Sequence, residues 1–222
     1  MPRFTLPDTI IEVSQNLLTP MIEQTLRKGN YEWQERLAIK QHLKPGDTVL
    51  EIGAGIGLTT LTAARIVGAE RVVSVEGNPA LLPEILRNLA LNGLTGVTLL
   101  NKIVLPEAGK TEAHLYVPDA FWGASIDGLS QPLAREITVA AIGFDALLAA
   151  HPASVLVCDV EGAEAEFFQN PLPESLRMIV LELHPKLYAL KTVKAIFDRL
   201  SAQRFAYVPY GSKGPVICFK RV

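Results

Sequence analysis

The chain has 222 residues, of which 49 % are hydrophobic and 20 % are charged, and its formal net charge is -2. This length fits one large domain with a buried core, or one domain with a modest extension. The acidic balance lacks the basic stripe typical of nucleic-acid-binding proteins, so we expect no nucleic-acid partner. No apolar run approaches the roughly 18 residues that span a bilayer, so we expect no membrane partner.

The N-terminus and the cysteines together predict a cytoplasmic protein. Residues 1–17 contain no apolar run of signal-peptide length. Cys158 and Cys218 both lie in apolar, strand-like runs. They are typical of buried thiols in a reducing compartment rather than of a disulfide or a metal pair.

The first 45 residues are predicted to form an N-terminal helical extension, and residues 46–222 the main domain. Two helices are expected over 16–28 and 31–43, because Gly29-Asn30 is a helix-stop signal between them. The turn residues Lys44-Pro45-Gly46-Asp47 end the second helix.

Strands and helices then alternate regularly. The pattern predicts strands over 48–52, 71–75, 97–101, 155–159 and 178–183, and helices over 59–67, 79–92 and 192–203. Two last strands, 205–208 and 216–220, flank a turn-rich segment and read as an antiparallel pair. Continuous apolar strands alternating with helices predict a parallel sheet covered on both faces. We therefore expect an α/β, three-layer fold with a seven-stranded, mainly parallel sheet and one antiparallel strand.

One segment, 103–147, interrupts this alternation. Extra strands are expected over 112–117 and 136–141. The loop between them, 118–135, is rich in Gly, Pro and Ser and contains Phe121-Trp122. A long loop of this kind is usually functional, and its aromatic pair could stack on a sugar ring, cover a cofactor or simply pack on the sheet edge.

A glycine-rich turn follows the first strand of the main domain: Gly53-Ala54-Gly55-Ile56-Gly57. Glycines here let the backbone closely approach a cofactor that contains a nucleoside. If that cofactor is S-adenosylmethionine, the glycines would contact its methionine end. A dinucleotide fingerprint would need glycine at position 58, which is Leu58. Glu51, two residues before the turn, can face a cationic ammonium and would repel a pyrophosphate. The motif therefore favours S-adenosylmethionine over NAD.

The next strand ends in Glu76-Gly77-Asn78-Pro79, which completes the expected cofactor site. Glu76 can accept hydrogen bonds from ribose hydroxyls. Gly77 allows the backbone to pass close to the adenosine, and Asn78 is a natural N-cap for the following helix. Asn101, at the end of the third strand, either reads the adenine amino group or forms a turn.

The fourth strand runs into a third motif, Asp159-Val160-Glu161-Gly162-Ala163-Glu164. Together with the glycine-rich turn and the Glu76 motif, it resembles the FkbM family of S-adenosylmethionine-dependent methyltransferases. The resemblance implies a class I methyltransferase (Rossmann-like) fold and O-methylation of a hydroxyl on a sugar or natural-product-like small molecule. The chain departs from the family pattern at Gly55, where many members have Asn, and at Val157 and Cys158, where a basic residue is common.

Methylation of a hydroxyl needs a base within hydrogen-bond reach, and three residues are candidates. Asp159 and Glu161 follow the fourth strand, and His184 follows the fifth at the same edge of the sheet. We expect Asp159 to contact the cofactor as well. The alternatives are that Asp159 caps a helix, that Glu161 stabilises its first turn, and that His184 is a turn residue. A metal held by these three residues is not expected, because no local ligand spacing supports one.

Two other functions remain open: an NAD-dependent oxidoreductase, and a non-catalytic cofactor-binding module. Tyr31, Glu32 and Glu35 could form a lid helix over the methionine end, although such residues more often make up a solvated face. The expected partner is a small hydroxylated acceptor, with a homodimer as the candidate assembly.

Overall fold

The computed structural model describes residues 1–107, 109–118 and 135–222. Most of the aromatic loop considered above, including Phe121 and Trp122, lies outside these described residues. The described strands are β1 Arg3–Leu6, β2 Thr9–Glu12, β3 Val49–Ile52, β4 Val72–Glu76, β5 Thr98–Asn101, β6 Ile103–Leu105, β7 Glu112–Val117, β8 Arg135–Gly143, β9 Val155–Cys158, β10 Met178–Glu182, β11 Phe205–Lys213 and β12 Val216–Arg221. The described helices are α1 Pro20–Arg27, α2 Trp33–His42, α3 Leu58–Val67, α4 Leu82–Leu91, α5 Phe144–Ala150 and α6 Leu190–Ala202.

A seven-stranded sheet with the order β11-β12-β10-β9-β3-β4-β5 forms the centre of the molecule. β12 runs antiparallel to both of its neighbours, and the pairs from β10 to β5 are parallel. The predicted sheet, mainly parallel with one antiparallel strand, is therefore confirmed.

The chain changes direction across the sheet between β3 and β9. β4 and β5 extend the sheet on one side of β3, and the chain then returns to place β9 on the other side. Ligands of open α/β sheets bind at such a switch point, outside the carboxyl ends of the strands. The register pairs Ile52 with Cys158, so the glycine-rich turn and the acidic motif begin side by side.

Every residue of β3 and of β9 is buried, which explains why β9 reads as a continuous apolar run and β3 as an apolar run interrupted only by Glu51. One face of the sheet packs on a cluster that includes Phe144, Phe167 and Leu200. The other face packs on a cluster that includes Ile39 of α2 and Ala63 of α3. This core on both faces fixes the strand ends that carry the polar residues.

The N-terminal segment differs from the helical prediction because it begins with a hairpin, β1 and β2. The backbone N–H of Glu12 donates to the side chain of Asn88 in α4, so the hairpin is held against that helix. The first helix starts later than expected, at Pro20, where Thr19 accepts a hydrogen bond from Ile22 N and acts as the N-cap. The boundary placed at residue 45 stays a prediction.

A second, three-stranded sheet with the order β6-β8-β7 occupies the segment that interrupts the alternation. Its strands β7 and β8 were expected, whereas β6 and α5 were not. β6 is only three residues long and follows β5 after a single residue, so its pattern merges with that of β5 in the sequence. Within the described part of the chain, no helix has the length and apolar character needed to cross a membrane.

Candidate active site

A cavity of about 320 Å³ opens at the carboxyl ends of β3, β4, β9 and β10 and is bounded by the start of α2. Six acidic residues line it: Glu32, Glu35, Glu76, Asp159, Glu161 and Glu182. Among the described lining residues, Lys102 alone is basic. The cavity is therefore built to hold positive charge.

The glycine-rich turn forms one wall of the cavity through Gly53 and Gly55. Gly53 has φ +90, and a Cβ there would lie 1.7 Å from the carbonyl oxygen of Asp159. Gly55 has φ +56 and lies beneath Glu32, whose Oε1 would be 3.0 Å from an added Cβ. These two positions therefore require glycine, as the turn motif predicts.

The other two predicted residues of the turn do not line the cavity. Ala54 is fully buried in the core. Gly57 is the left-handed N-cap of α3, and a Cβ there would meet Ile85 at 3.1 Å. Both residues shape the turn through packing, so their expected contact with a cofactor is not supported by this geometry.

Glu76 lies at the bottom of the cavity and holds the glycine-rich turn in place. Its carboxylate accepts hydrogen bonds from the backbone N–H groups of Gly55 at 2.9 Å and Asn78 at 2.7 Å. Burial raises the pKa of Glu76 to about 7, although these two donors act in the opposite direction. Glu76 lines the cavity, and its role in binding a ribose stays a prediction.

Glu51 does not face the cavity, and the expectation that it meets the cofactor's ammonium is wrong in this structure. Its carboxylate accepts hydrogen bonds from three hydroxyl groups, those of Thr59, Thr60 and Ser74. Burial raises the pKa of Glu51, and the three hydroxyl donors oppose that shift. The residue instead joins β3, α3 and β4 through a buried polar network.

The side chains of Asn101 and Asn78 also form hydrogen bonds with backbone groups and do not line the cavity. The Asn101 amide donates to the carbonyl oxygens of Glu76 at 2.8 Å and Gly77 at 3.1 Å. The Asn78 side chain accepts a hydrogen bond from Ala80 N and so caps the turn before α4. Of the predicted adenosine residues, Gly77 does line the cavity. Asn101 therefore stabilises the turn after β4, and its contact with an adenine stays a prediction.

The structure brings together the three predicted catalytic residues, Asp159, Glu161 and His184. The imidazole Nε2 of His184 lies 3.4 Å from Asp159 Oδ1 and 3.5 Å from Glu161 Oε2. A short 3₁₀ turn over Ala163–Glu166, capped by Gly162, follows the motif. Asp159 is thus not the cap of a following α-helix.

Glu164 orients the imidazole from behind. Its side chain has 0 % exposure and accepts hydrogen bonds from His184 Nδ1 at 2.8 Å and from the Tyr188 hydroxyl at 2.7 Å. Burial would lower the pKa of His184. The bond to Glu164 and the charges of Asp159 and Glu161 outweigh burial and raise this pKa to about 9. His184 is therefore a cation at neutral pH whose Nε2–H points toward the two acids.

Glu182 is a cavity residue that the sequence analysis did not select, and Glu35 is one that it considered only as part of a lid helix. Glu182 ends β10 and lines the cavity with Glu35 and Asp159, and a carboxylate oxygen of Glu182 lies within 4.8 Å of one of Asp159. Burial and the two neighbouring acids raise the pKa of Glu182 to about 11, and burial raises that of Asp159 to about 7. The sequence does contain a signal for Glu182: it is an acid at the end of the strand next to that of Asp159, in the same short segment as His184.

Tyr31, Glu32 and Glu35 do not form a solvated face. All three line the cavity, and Glu35 is only 6 % exposed. Burial raises the pKa of Tyr31 and of Glu32 well above their ordinary values. The N-terminal helical segment therefore closes one side of the candidate site, as the lid alternative anticipates.

The described residues fit S-adenosylmethionine better than a dinucleotide. The buried Oε2 of Glu32 has no hydrogen-bond partner in the described structure, which suits the amino group of a cationic amino-acid ligand. A pyrophosphate would instead meet a wall of carboxylates. Asp159, Glu182 and His184 could also each offer one ligand atom to a metal ion, because these atoms lie within 4.8 Å of one another.

Comparisons with known proteins agree with this assignment. Residues 28–106 match the model of the TRM5/TYW2 methyltransferase domain. The chain is 35 % identical over 96 residues (43 % of its length) to the 23S rRNA (uracil(1939)-C(5))-methyltransferase RlmD of Klebsiella pneumoniae, and 37 % identical over 69 residues (30 %) to the ribosomal protein L11 methyltransferase of Thermus thermophilus. These matches span only 19 % and 26 % of the two curated relatives.

A solved structure extends the likeness of the fold to nearly the whole chain. The precorrin-6y C5,15-methyltransferase of Geobacter metallireducens superposes with a TM-score of 0.51 at 15 % identity, covering 96 % of this chain and 94 % of that one. Together, the fold and the matched domain define the class: this chain has the class I, Rossmann-like methyltransferase fold. The expected cofactor, S-adenosylmethionine, is confirmed.

Two expectations about the substrate need correction. Excluding nucleic acid was wrong, because the matched relatives are methyltransferases of ribosomal RNA and of a ribosomal protein. The net charge of a domain that holds the cofactor says little about a substrate that other surfaces can bind. Methylation of a sugar hydroxyl is likewise not supported, and the FkbM family is not shown by these matches.

Proposed function

We propose that this chain transfers a methyl group from S-adenosylmethionine to a component of the ribosome. The observation that carries the proposal is that the glycine-rich turn, Glu76, Asp159 and Glu161 all border one cavity, and that His184 lies within 3.5 Å of both Asp159 and Glu161. The two curated relatives, which act on ribosomal RNA and on a ribosomal protein, support the substrate class.

Each part of the cavity has a chemical task in this proposal. Gly53, Gly55 and Glu76 hold the cofactor, which supplies an activated methyl group. Asp159 and Glu161 orient the acceptor and take up its proton, and His184 keeps their charge balanced. The remaining contribution is alignment of the two reactants in a site that excludes water.

The test is transfer of tritiated methyl groups from S-adenosylmethionine to purified ribosomal subunits. The label is assigned to RNA or protein by digestion with ribonuclease or protease. We expect the parent chain to incorporate label and Asp159→Asn to incorporate it at least 100-fold more slowly. The control Asp198→Asn, whose side chain on α6 is 61 % exposed, should retain full activity. Cofactor binding without label in either fraction would contradict the proposed substrate class.

A further inference from the structure

Positive charge is concentrated in residues 183–222. This segment contains eight of the chain's 21 Lys and Arg residues but only one of its 23 Asp and Glu residues. The residues before it are correspondingly acidic, so the formal net charge of -2 conceals an uneven distribution. An asymmetry of this kind is typical of a segment that contacts a polyanion.

Part of this charge lies at the edge of the sheet where the cavity opens. The Pro215 carbonyl oxygen accepts a hydrogen bond from the backbone N–H of Leu183, so the turn between β11 and β12 lies beside the carboxyl end of β10. The carbonyl oxygen of Lys213 accepts a hydrogen bond, at 3.0 Å, from the side chain of Gln34, which lines the cavity. The exposed side chain of Lys213 therefore begins next to the cavity opening.

A second part of the charge lies in residues 185–191, which directly follow His184. Lys186 and Lys191 are both exposed there. Tyr188 fixes the segment in place, because its hydroxyl accepts a hydrogen bond from the backbone N–H of His184 at 2.8 Å. These two lysines thus lie at the same edge of the sheet as Lys213.

We call Lys186, Lys191 and Lys213 the lysine rim. None of its members forms an ion pair with another residue that the structure describes. By contrast, the exposed Lys40 and Lys194 are paired with aspartates. The lysine rim is therefore available to neutralise the charge of a bound partner.

An exposed tyrosine extends this surface away from the cavity. Tyr210 lies in an irregular stretch of β11, between Val208 and Lys213, and is 67 % exposed. Its carbonyl oxygen accepts a hydrogen bond from His42 Nε2 at 2.6 Å, and the two rings meet edge to face. Gly211 has φ +89, and a Cβ there would lie 2.5 Å from the same His42 nitrogen. The backbone that carries the Tyr210 ring is thus held in one conformation.

We propose that the lysine rim and Tyr210 bind single-stranded RNA and direct it to the cavity. This inference rests on the proposed function and narrows its substrate to the RNA of the ribosome. The lysines neutralise phosphate groups, and the open Tyr210 ring stacks on a base. Gln34 and His42, which contact the two ends of this surface, are separated by about 12 Å along α2, enough for more than one nucleotide.

The acidic cavity and the lysine rim have different tasks in this arrangement. The cavity acids face a cofactor that carries positive charge, and the nucleobase that enters beside it is uncharged. The phosphate groups stay outside, at the lysines. An acidic protein segment would satisfy the lysines but would make no use of the exposed ring, so the two features together favour RNA.

Fluorescence anisotropy of a labelled single-stranded RNA of about 12 nucleotides tests the binding step on the intact chain, saturated with S-adenosylhomocysteine. In the combined variant Lys186→Gln, Lys191→Gln and Lys213→Gln, RNA affinity should fall at least tenfold. The plot of log affinity against log salt should become shallower by about 2, because three phosphate contacts are lost.

The matched control for the lysines is Lys220→Gln. Lys220 is exposed on β12 and pairs with Met178, at the opposite end of the sheet from the cavity. We expect it to leave RNA affinity and the salt dependence unchanged. A salt dependence that the combined variant leaves unchanged would overturn the inference, as would a loss per lysine in Lys220→Gln equal to that in the combined variant.

Two substitutions at Tyr210 test the stacking contact. Tyr210→Ala should weaken RNA binding at least fivefold, and Tyr210→Phe should retain it, because the phenyl ring still stacks. Both variants should melt at the temperature of the parent, since the side chain is mostly exposed. Equal losses of affinity in the two variants would overturn the inference. So would a poly-glutamate peptide that binds as tightly as the RNA, which would identify an acidic protein as the partner.

The methyl-transfer experiment distinguishes failure of this inference from failure of the proposed function. Label in ribosomal RNA supports the inference if the combined lysine variant raises KM for the RNA and leaves kcat within about twofold, as expected of residues remote from the methyl group. Label recovered only in protein refutes the inference and leaves the methyltransferase intact. Absence of S-adenosylmethionine binding to the parent chain would refute the proposed function itself.

Discussion

Gly53 and Asp159 touch through the backbone: a Cβ at Gly53 would lie 1.7 Å from the carbonyl oxygen of Asp159. This contact joins the glycine-rich turn to the acidic motif, which are more than 100 residues apart in the sequence. It follows from the parallel pairing of β3 with β9, in which Ile52 lies opposite Cys158. The glycine-rich turn and the acidic motif therefore border the same cavity.

Gly53→Ala should destabilise the protein severely, because the new methyl group overlaps a backbone atom that cannot move without breaking the β3–β9 pairing. The matched control is Gly46→Ala. Gly46 has a similar φ of +95, but a Cβ there meets nothing within 4 Å. Urea unfolding should show a loss of about 1 kcal/mol for the control and more than about 4 kcal/mol for Gly53→Ala. Equal losses would show that the contact does not matter.

Glu164→Gln should lower the pKa of His184 from about 9 toward its ordinary value of 6.5, because the buried negative charge behind the ring is removed. The amide oxygen can still accept a hydrogen bond from Nδ1, so the ring should keep its position. Nuclear magnetic resonance titration of the imidazole signals measures the shift directly. Glu166→Gln is the control in the same segment, and an unchanged His184 pKa in Glu164→Gln would contradict the assignment.

Thr60→Val should cost about 1–3 kcal/mol of unfolding free energy, because the buried Glu51 carboxylate loses one of its three hydroxyl donors. The substitution keeps the shape of the side chain, so packing of α3 on the sheet is preserved. Thr62→Val is the control, since the Thr62 hydroxyl donates to the Leu58 carbonyl oxygen and not to Glu51. We expect a much smaller loss there. A loss in Thr60→Val no larger than in the control would argue against the network.

The cofactor-free protein should become less stable as the pH rises from 5 to 9. The folded-state pKa values of Glu76 and Asp159, both about 7, exceed their ordinary values of 4.5 and 3.8. That of His184, about 9, exceeds 6.5. Each group binds its proton more tightly when folded, so its stabilisation is complete at low pH and is lost as the pH passes the folded value.

Melting temperatures measured across this range check the prediction. The lowered pKa values of Asp8 and Asp47 act below pH 4 and leave the window unaffected. We expect a steady fall of the melting temperature toward pH 9, and S-adenosylmethionine should reduce the fall because it brings positive charge to the cavity. A melting temperature that rises with pH would contradict the raised pKa values of Glu76, Asp159 and His184.

The fold was largely predictable because its central strands are buried on both faces and alternate with helices. The short hairpin of β1 and β2, with four residues in each strand, gives too weak a pattern to separate from a helix. β6 was missed for a similar reason, since it follows β5 with a single residue between them.

The candidate site was predictable in its position and only partly in its residues. Acids at strand ends could be located, but the sequence does not say which way a side chain points. Glu51 therefore seemed to face a ligand, although its neighbours in space are three hydroxyl groups. Glu35 was set aside because a charged residue on a helix is usually solvated, whereas packing of α2 against the sheet buries it.

The most direct test of the account is a calorimetric titration of the chain with S-adenosylmethionine, with NAD as the competing ligand. Glu76→Gln is the variant, and Glu70→Gln, at an exposed position before β4, is its control. We predict micromolar binding of S-adenosylmethionine alone, weakened at least tenfold in Glu76→Gln and unchanged in Glu70→Gln. Binding of NAD, or no binding of S-adenosylmethionine, would contradict the account.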